Sequence, residues 1–181
     1  ADVEAFENMK LRMLNGSHST LAYLGYLKGH ETVADAIADP ELLKLVTDMM
    51  TTEIIPILDM PKEVDLNAYK DALIERFQNK SLKHRTWQIA MDGSQKLPQR
   101  LLDSVRERIK ADQPYECLAQ GIAGWMRYAT GVDLAGNSID VRDPMRDQLH
   151  QIGKAHLGNP IDLVNAFAGI EAIFGKDLSQ D

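Results

Sequence analysis

Leu42-Leu-Lys-Leu-Val-Thr-Asp-Met-Met-Thr-Thr-Glu-Ile-Ile-Pro-Ile-Leu58 repeats its apolar side chains three and four residues apart, at Leu42, Leu45, Val46, Met49 and Met50, then at Ile54, Ile55 and Leu58. That spacing lines one face of a helix. The same period runs outward in both directions, and no segment alternates as a half-buried strand does. Punctuation falls at Gly29, Asp39-Pro40, Pro56, Pro61, Asp92-Gly93, Pro98, Pro114, the loop from Thr130 to Pro144, Gly158-Asn159-Pro160 and Gly175. Roughly eight to ten helices with short connections are expected, an all-α bundle or array rather than a βα repeat. Asp39-Pro40, Asp143-Pro144 and Asn159-Pro160 each set a capping side chain before a proline at the first helical position, and Asp65 caps without a capping box. The loop Thr130 to Asp140 reads as a surface loop, with a site lid as the other reading.

The chain has 181 residues, 44% of them apolar and 26% charged, which suits one domain with a sizeable core, residues 1–181. A formal net charge of −7 without a run of like charge argues against nucleic acid or an anionic membrane surface as partner. A small molecule or a protein fits better. A single cysteine, Cys117, excludes an internal disulfide framework and suits a reducing cytoplasm. No apolar run reaches the length of a membrane span, and the acidic opening Ala1-Asp2-Val3-Glu4 is not expected to act as a signal peptide.

Reactive side chains are densest in Glu7-Asn-Met-Lys10-Leu-Arg-Met-Leu-Asn15-Gly-Ser-His18-Ser19. On a continuous α-helix with Lys10 at zero, Glu7 falls near about 60°, His18 near about 80° and Asn15 near about 140°. Phe6, Met9, Met13, Leu14, Leu21 and Leu24 form the adjoining apolar stripe. The polar set then borders a buried seam, and Lys10 is expected to be partly desolvated, which lowers a lysine pKa and makes a general base. Asn15 and His18 are donors suited to a carbonyl oxygen or a developing alkoxide. The same residues also read as an exposed Glu7–Lys10 pair, a break at Asn15-Gly16 and a satisfied core histidine.

A second stretch is His84-Arg85-Thr-Trp-Gln88-Ile-Ala-Met-Asp92-Gly-Ser-Gln-Lys96-Leu-Pro-Gln-Arg100. Asp92-Gly93-Ser94 is expected to end one helix and cap the next, with Lys96 in its first turn. A cation there is unfavourable for the helix dipole, so it is either simply solvated or suited to an oxygen-rich ligand.

Lys10-x4-Asn15-x2-His18 within Met9 to Tyr26 resembles the signature of the long-chain mannitol dehydrogenase family of polyol dehydrogenases. The likeness continues through Arg76-Phe77-x-Asn79, Asp92-Gly-Ser-Gln-Lys96-Leu-Pro98, Gly124-Trp-Met-Arg127-Tyr128, and Gly131-Val-Asp133 with Asp143-Pro144. Arg85 to Arg100 is most similar to the fructuronate reductase (mannonate oxidoreductase) branch. The resemblance implies an α-helical substrate domain that follows a Rossmann domain, related in fold to the C-terminal domain of 6-phosphogluconate dehydrogenase. It implies metal-independent, NAD-dependent interconversion of a secondary alcohol and a ketone on a sugar acid or polyol. On this pattern Lys10 is the general acid/base, Asn15 an oxyanion donor, His18 a substrate donor, Glu7 a gate in the proton path and Lys96 a substrate-contacting lysine. Hexitol-oxidising members carry an arginine eight residues before that lysine, where this chain has Gln88. Arg85, Lys96 and Arg127 are the cations set against a uronate carboxylate.

No Gly-x-Gly-x-x-Gly follows a strand pattern, and Gly121-Ile-Ala-Gly124 sits in a helical one. No cofactor-binding residue is therefore expected in this chain, which reads as a fragment whose NAD site lies in a Rossmann domain ahead of Lys10. A mannitol-type polyol dehydrogenase domain is the enzymatic alternative. A helical interaction module, with Met49, Met50 and Met60 lining a partner groove, is the non-enzymatic one. A metal site drawn from His18, His30, His84, His150 and His156 has no supporting spacing, so none is expected.

Overall fold

The 3.6-residue period becomes twelve α-helices in the computed structural model, which describes residues 2–179. Among the described residues there is no strand, only isolated bridges between Thr32 and Arg85 and between Val132 and Ser138.

The N-terminal rod consists of α1 (Asp2–Met9), a π-helical segment (Lys10–Asn15) and α2 (Gly16–Leu27), joined without a break. Its second half is the axis of the fold. α2 packs against α3 (Val33–Ala38), α6 (Thr86–Ile89) and above all α9 (Glu116–Ala129). Helix axes approach this closely because α9 presents glycines to α2. A Cβ on Gly121 would lie 2.7 Å from Thr20 Oγ1, and one on Gly124 would lie 2.6 Å from Leu24 Cδ2. The glycine pair that could have suggested a phosphate loop is thus helix-packing surface.

The stretch 42–58 begins inside α4 (Pro40–Asp48), then widens into a π segment (Met49–Ile54) and tightens to a 3-10 turn (Ile55–Ile57). Pro56 has no N–H to extend the ladder, so the regular helix cannot continue through it. Met49, Met50 and Ile54 are fully buried. Two methionines held in the core cannot line a partner groove, which corrects that part of the interaction-module reading. Glu53, on the same segment, is also buried, and its carboxylate accepts the Cys117 and Leu118 N–H groups at 2.8 and 2.9 Å. It thereby satisfies two of the orphan donors at the positive dipole end of α9. Burial and this carboxylate push the Cys117 thiol up to about 12, so it stays protonated.

After α5 (Leu66–Phe77) and α6, α7 (Gly93–Leu97) passes into a π segment (Pro98–Leu102) and α8 (Asp103–Lys110). The wider turn relieves the clash between the Pro98 ring and the carbonyl behind it. This π segment crosses the one in the N-terminal rod. At Gly16 the approach is so close that a Cβ would sit 2.7 Å from the Arg100 carbonyl oxygen. The last helices, α10 (Arg146–His156), α11 (Pro160–Ala168) and α12 (Glu171–Leu178), close the other end, with Phe167 and Phe174 against Trp125.

Caps form as expected at Asp39, Asp65 and Asn159, which accept the N–H groups of Glu41, Ala68 and Asp162. Asp143 differs, because no helix starts at Pro144. Asp92 takes a left-handed φ of 59° and leaves α7 without a cap from its own side chain. Asp143 fills that place, accepting the Ser94 N–H at 2.8 Å and its hydroxyl at 2.6 Å. The loop before it is pinned and is no lid. Asp133 holds the Ala135 and Asn137 N–H groups, and Ile139 and Val141 enter the core.

Candidate active site

The crossing of the two π segments positions the candidate groups. In the first, the Gly16 N–H bonds the Leu11 carbonyl five residues back, which shifts the side-chain register that an unbroken α-helix would give Lys10, Asn15 and His18. Asn15 and His18 face a cleft of about 480 Å³, its open mouth included. Across it lie Ala34 of α3, Phe77 at the end of α5, Arg76, Asn79 and His84.

The His18 imidazole stacks on Phe77 at 5.5 Å with an interplanar angle of 18°, and the His84 ring lies 5.7 Å away. Its Nε2 is buried without a hydrogen-bond partner. Burial lowers its pKa to about 4, helped by the positive charges of His84, Arg100, Arg76 and Lys96. Near neutral pH His18 is therefore uncharged, with one ring nitrogen able to donate and the other to accept.

This burial has a consequence for stability. An unfolded chain takes up the His18 proton near 6.5, whereas the folded chain resists down to about 4. Stability is therefore complete above that window and falls as pH drops through it, by up to about 3 kcal/mol. Urea unfolding at several pH values should show this slope, and His18→Gln should remove its share. His150, also lowered by burial, contributes to the same slope in both proteins.

Lys96, on α7, is half-buried and donates to the Ile89 carbonyl at 3.2 Å. Burial and then Arg100 lower its pKa. Lys10 and Glu7 stand elsewhere than expected, for both are exposed. α1 has no fully buried residue, and Phe6 is 43% exposed, so the apolar stripe is buried from Met13 onward, half-buried at Met9 and uncovered at Phe6. A helical wheel shows which face is apolar, not whether anything lies against it.

Arg85 does not reach the His18 cleft. Its guanidinium lies 5.5 Å from the Trp87 ring centroid, and it lines a separate groove with Tyr26, His30 and Asp133. Gln88 is exposed on α6. Arg127 is structural: it donates to the carbonyls of Val132 and Asp133, holding the loop that follows α9. Among the described residues no three His, Cys, Asp or Glu side chains come together as metal ligands.

Three residues lining the cleft were given no substrate role by sequence, Arg76, Asn79 and His84, and neither was Arg100, whose charge acts on the His18 ring. Arg76 and Asn79 stand in a motif shared with the resembled family, which was the available signal. Their approach to His18 depends on how α5 folds back on α3, and no local pattern encodes that.

The family model for the mannitol dehydrogenase C-terminal domain matches residues 2–181. D-mannonate oxidoreductase of Escherichia coli is 56% identical over 181 residues, which is 100% of this chain and 37% of that protein. Mannitol 2-dehydrogenase of Aspergillus terreus is 37% identical over 180 residues, 99% of this chain and 35% of that one. The solved structure of Pseudomonas fluorescens mannitol 2-dehydrogenase, a ternary complex with NAD and D-mannitol, superposes with a TM-score of 0.90 at 29% identity. It is matched over 99% of this chain and 36% of its own. The chain thus spans a little over a third of the length of these relatives.

Proposed function

Since the chain belongs to the mannitol dehydrogenase family, as its C-terminal domain, we propose that residues 1–181 form the helical substrate domain of an NAD-dependent oxidoreductase. The reaction interconverts a secondary alcohol and a ketone, with D-mannonate and D-fructuronate as the pair. The observation that carries this reading is the buried, unpartnered Nε2 of an uncharged His18, in the cleft it shares with Asn15 and next to the π turn bearing Lys10. A buried polar atom without a partner is costly, and a substrate hydroxyl or carbonyl would satisfy it.

Lys10 acts as the general acid/base, giving its proton to the ketone oxygen or taking one from the alcohol. Asn15 donates to the same oxygen while charge develops on it. His18 donates to a neighbouring hydroxyl and orients the substrate. Glu7, one turn before Lys10, passes protons between that lysine and solvent, and both are exposed enough for this role. Lys96 contacts the substrate from α7.

NAD supplies hydride chemistry, but the described residues do not fit its pyrophosphate. Gly121 and Gly124 lie inside α9 against Thr20 and Leu24 and leave no backbone cradle. We therefore assign the dinucleotide to a Rossmann domain ahead of Lys10 in a longer protein, closing over the face of Phe6 and Lys10 and desolvating the lysine. No helix among the described residues is long and apolar enough to cross a membrane. The protonated, half-buried Cys117 suits the cytoplasm we assign.

A mannitol-type polyol dehydrogenase is the second reading, favoured by the TM-score of 0.90 to a D-mannitol complex. Following NADH formation by the full-length protein with D-mannonate and with D-mannitol separates the two. The first reading expects higher kcat/KM for D-mannonate. Equal or better use of D-mannitol moves the assignment to the second, and no turnover of either defeats both.

A further inference from the structure

Lys10 and Asn15 are five residues apart, the interval that a π turn closes and an α turn does not. On an unbroken α-helix with Lys10 at zero, Asn15 falls near about 140° and His18 near about 80°, so the lysine looks away from the pair. The N-terminal rod departs from that ladder where it matters. The Gly16 N–H bonds the Leu11 carbonyl five residues back, which takes one extra residue into the turn. Asn15 and His18 then occupy the places of the fourth and seventh residues after Lys10, near about 40° and about −20°. Lys10, Asn15 and His18 share a sector of about 60°, with Glu7 at its border. Asn15 and His18 line the cleft, and the exposed Lys10 stands on their face just before them.

The roll of that face is decided at the turn itself. α1 has no fully buried residue, so the core does not fix its rotation. Within the π segment the buried residues are Arg12 and Met13. Arg12, on the other side of the rod from Lys10, is 8% exposed, and its Nη2 meets Glu107 Oε1 of α8 at 2.8 Å. It lines a groove with Ile57, Leu58 and Asp59 and not the His18 cleft, so it does not touch a substrate held there. The Arg100 carbonyl presses on Gly16 at the end of the same turn, and Pro98–Leu102 runs directly into α8, so both anchors belong to one continuous stretch. Released from Glu107, the turn is free to return to an α ladder, which rotates α1 by about 100° and carries Lys10 off the face.

We infer that Arg12 and Glu107 are a positioning pair for the reaction: their ion pair holds the π turn in the register that sets Lys10 on the face of Asn15 and His18. The inference rests on the assignment of Lys10 as general acid/base made above. A guanidinium fork on a carboxylate fixes direction as well as distance. A misplacement of about 1 Å in a reacting group costs about 10²-fold in rate, so the register of this turn is worth as much as a catalytic side chain.

The test uses the full-length protein with NAD and D-mannonate, at a temperature where circular dichroism shows each variant fully folded. Arg12→Met keeps an apolar stem and removes the charge. It should lower kcat about 10²-fold, with KM for D-mannonate and NADH affinity changed by less than about threefold. Deleting Leu11 in that variant removes the extra residue, so that an α ladder again puts Lys10 on the face of Asn15 and His18, and kcat should recover. A pair that only stabilises the fold predicts the opposite, since a deletion in a packed helix adds to the damage. Unchanged kcat in Arg12→Met, a rise in KM alone, or a deletion that lowers kcat further would each overturn the inference. Should Arg12→Met not fold, Glu107→Gln, at a side chain 42% exposed, gives the same comparison with and without the deletion. Ordinary turnover by Lys10→Ala would instead defeat the acid/base assignment, and it is read in a protein whose Arg12–Glu107 pair is intact.

Discussion

Lys10→Ala in the full-length protein loses turnover by at least about 10²–10⁴-fold, the range that one general acid/base contributes, while NADH binding stays nearly intact. In the proposed mechanism the lysine acts on the substrate oxygen and not on the dinucleotide, for which the described residues provide no cradle. Its position favours such a role. Lys10 opens the π segment and is exposed to solvent. Glu7 stands on the same face one turn back, so Glu7→Gln should slow proton exchange without abolishing the chemistry. Stopped-flow reduction and a fluorescence titration of NADH measure the two halves of the expectation separately. Ordinary turnover in the alanine variant would remove the lysine from the mechanism.

Asn15→Ala lowers kcat by roughly 10²–10³-fold with a smaller change in KM, as expected for one donor aimed at a developing oxyanion. Asn15 ends the π segment half-buried and faces the same cleft as His18. Asn15→Asp should do no better than alanine, because a carboxylate would repel the charge that the amide stabilises. A variant that raises KM alone would show that Asn15 binds the substrate and its transition state equally.

The helical architecture was legible from periodicity, and the caps at Asp39, Asp65 and Asn159 from residue chemistry alone. The π segments were not. At Gly16 the reason lies outside the local pattern, because a second chain segment presses on the rod, whereas Pro98 opens the last π segment from within its own sequence. Asn15 and His18 were readable as neighbours because their relation is local, and both line one cleft, whereas Lys10 at the start of the π segment does not line it. Arg76 near the end of α5 and His84 in the loop before α6 reach the cleft from other parts of the chain, so the sequence offered their motifs and not their meeting. Glu53 looks like a polar interruption in an apolar run, and only the arrival of the α9 N-terminus explains why a carboxylate is buried there. The misplaced expectations share a cause: Lys10 and Phe6 were assigned to a seam, and Arg85 to a cleft, by surfaces that only tertiary packing supplies.

The division of labour between this helical chain and a separate dinucleotide domain is the account's central claim, and NADH titration of residues 1–181 produced alone tests it most directly. Circular dichroism should first show a predominantly helical, cooperatively unfolding chain. NADH fluorescence should then remain unchanged across the micromolar range in which the full-length protein saturates. Micromolar binding by the isolated chain would contradict the account, because the dinucleotide site would then lie among these helices.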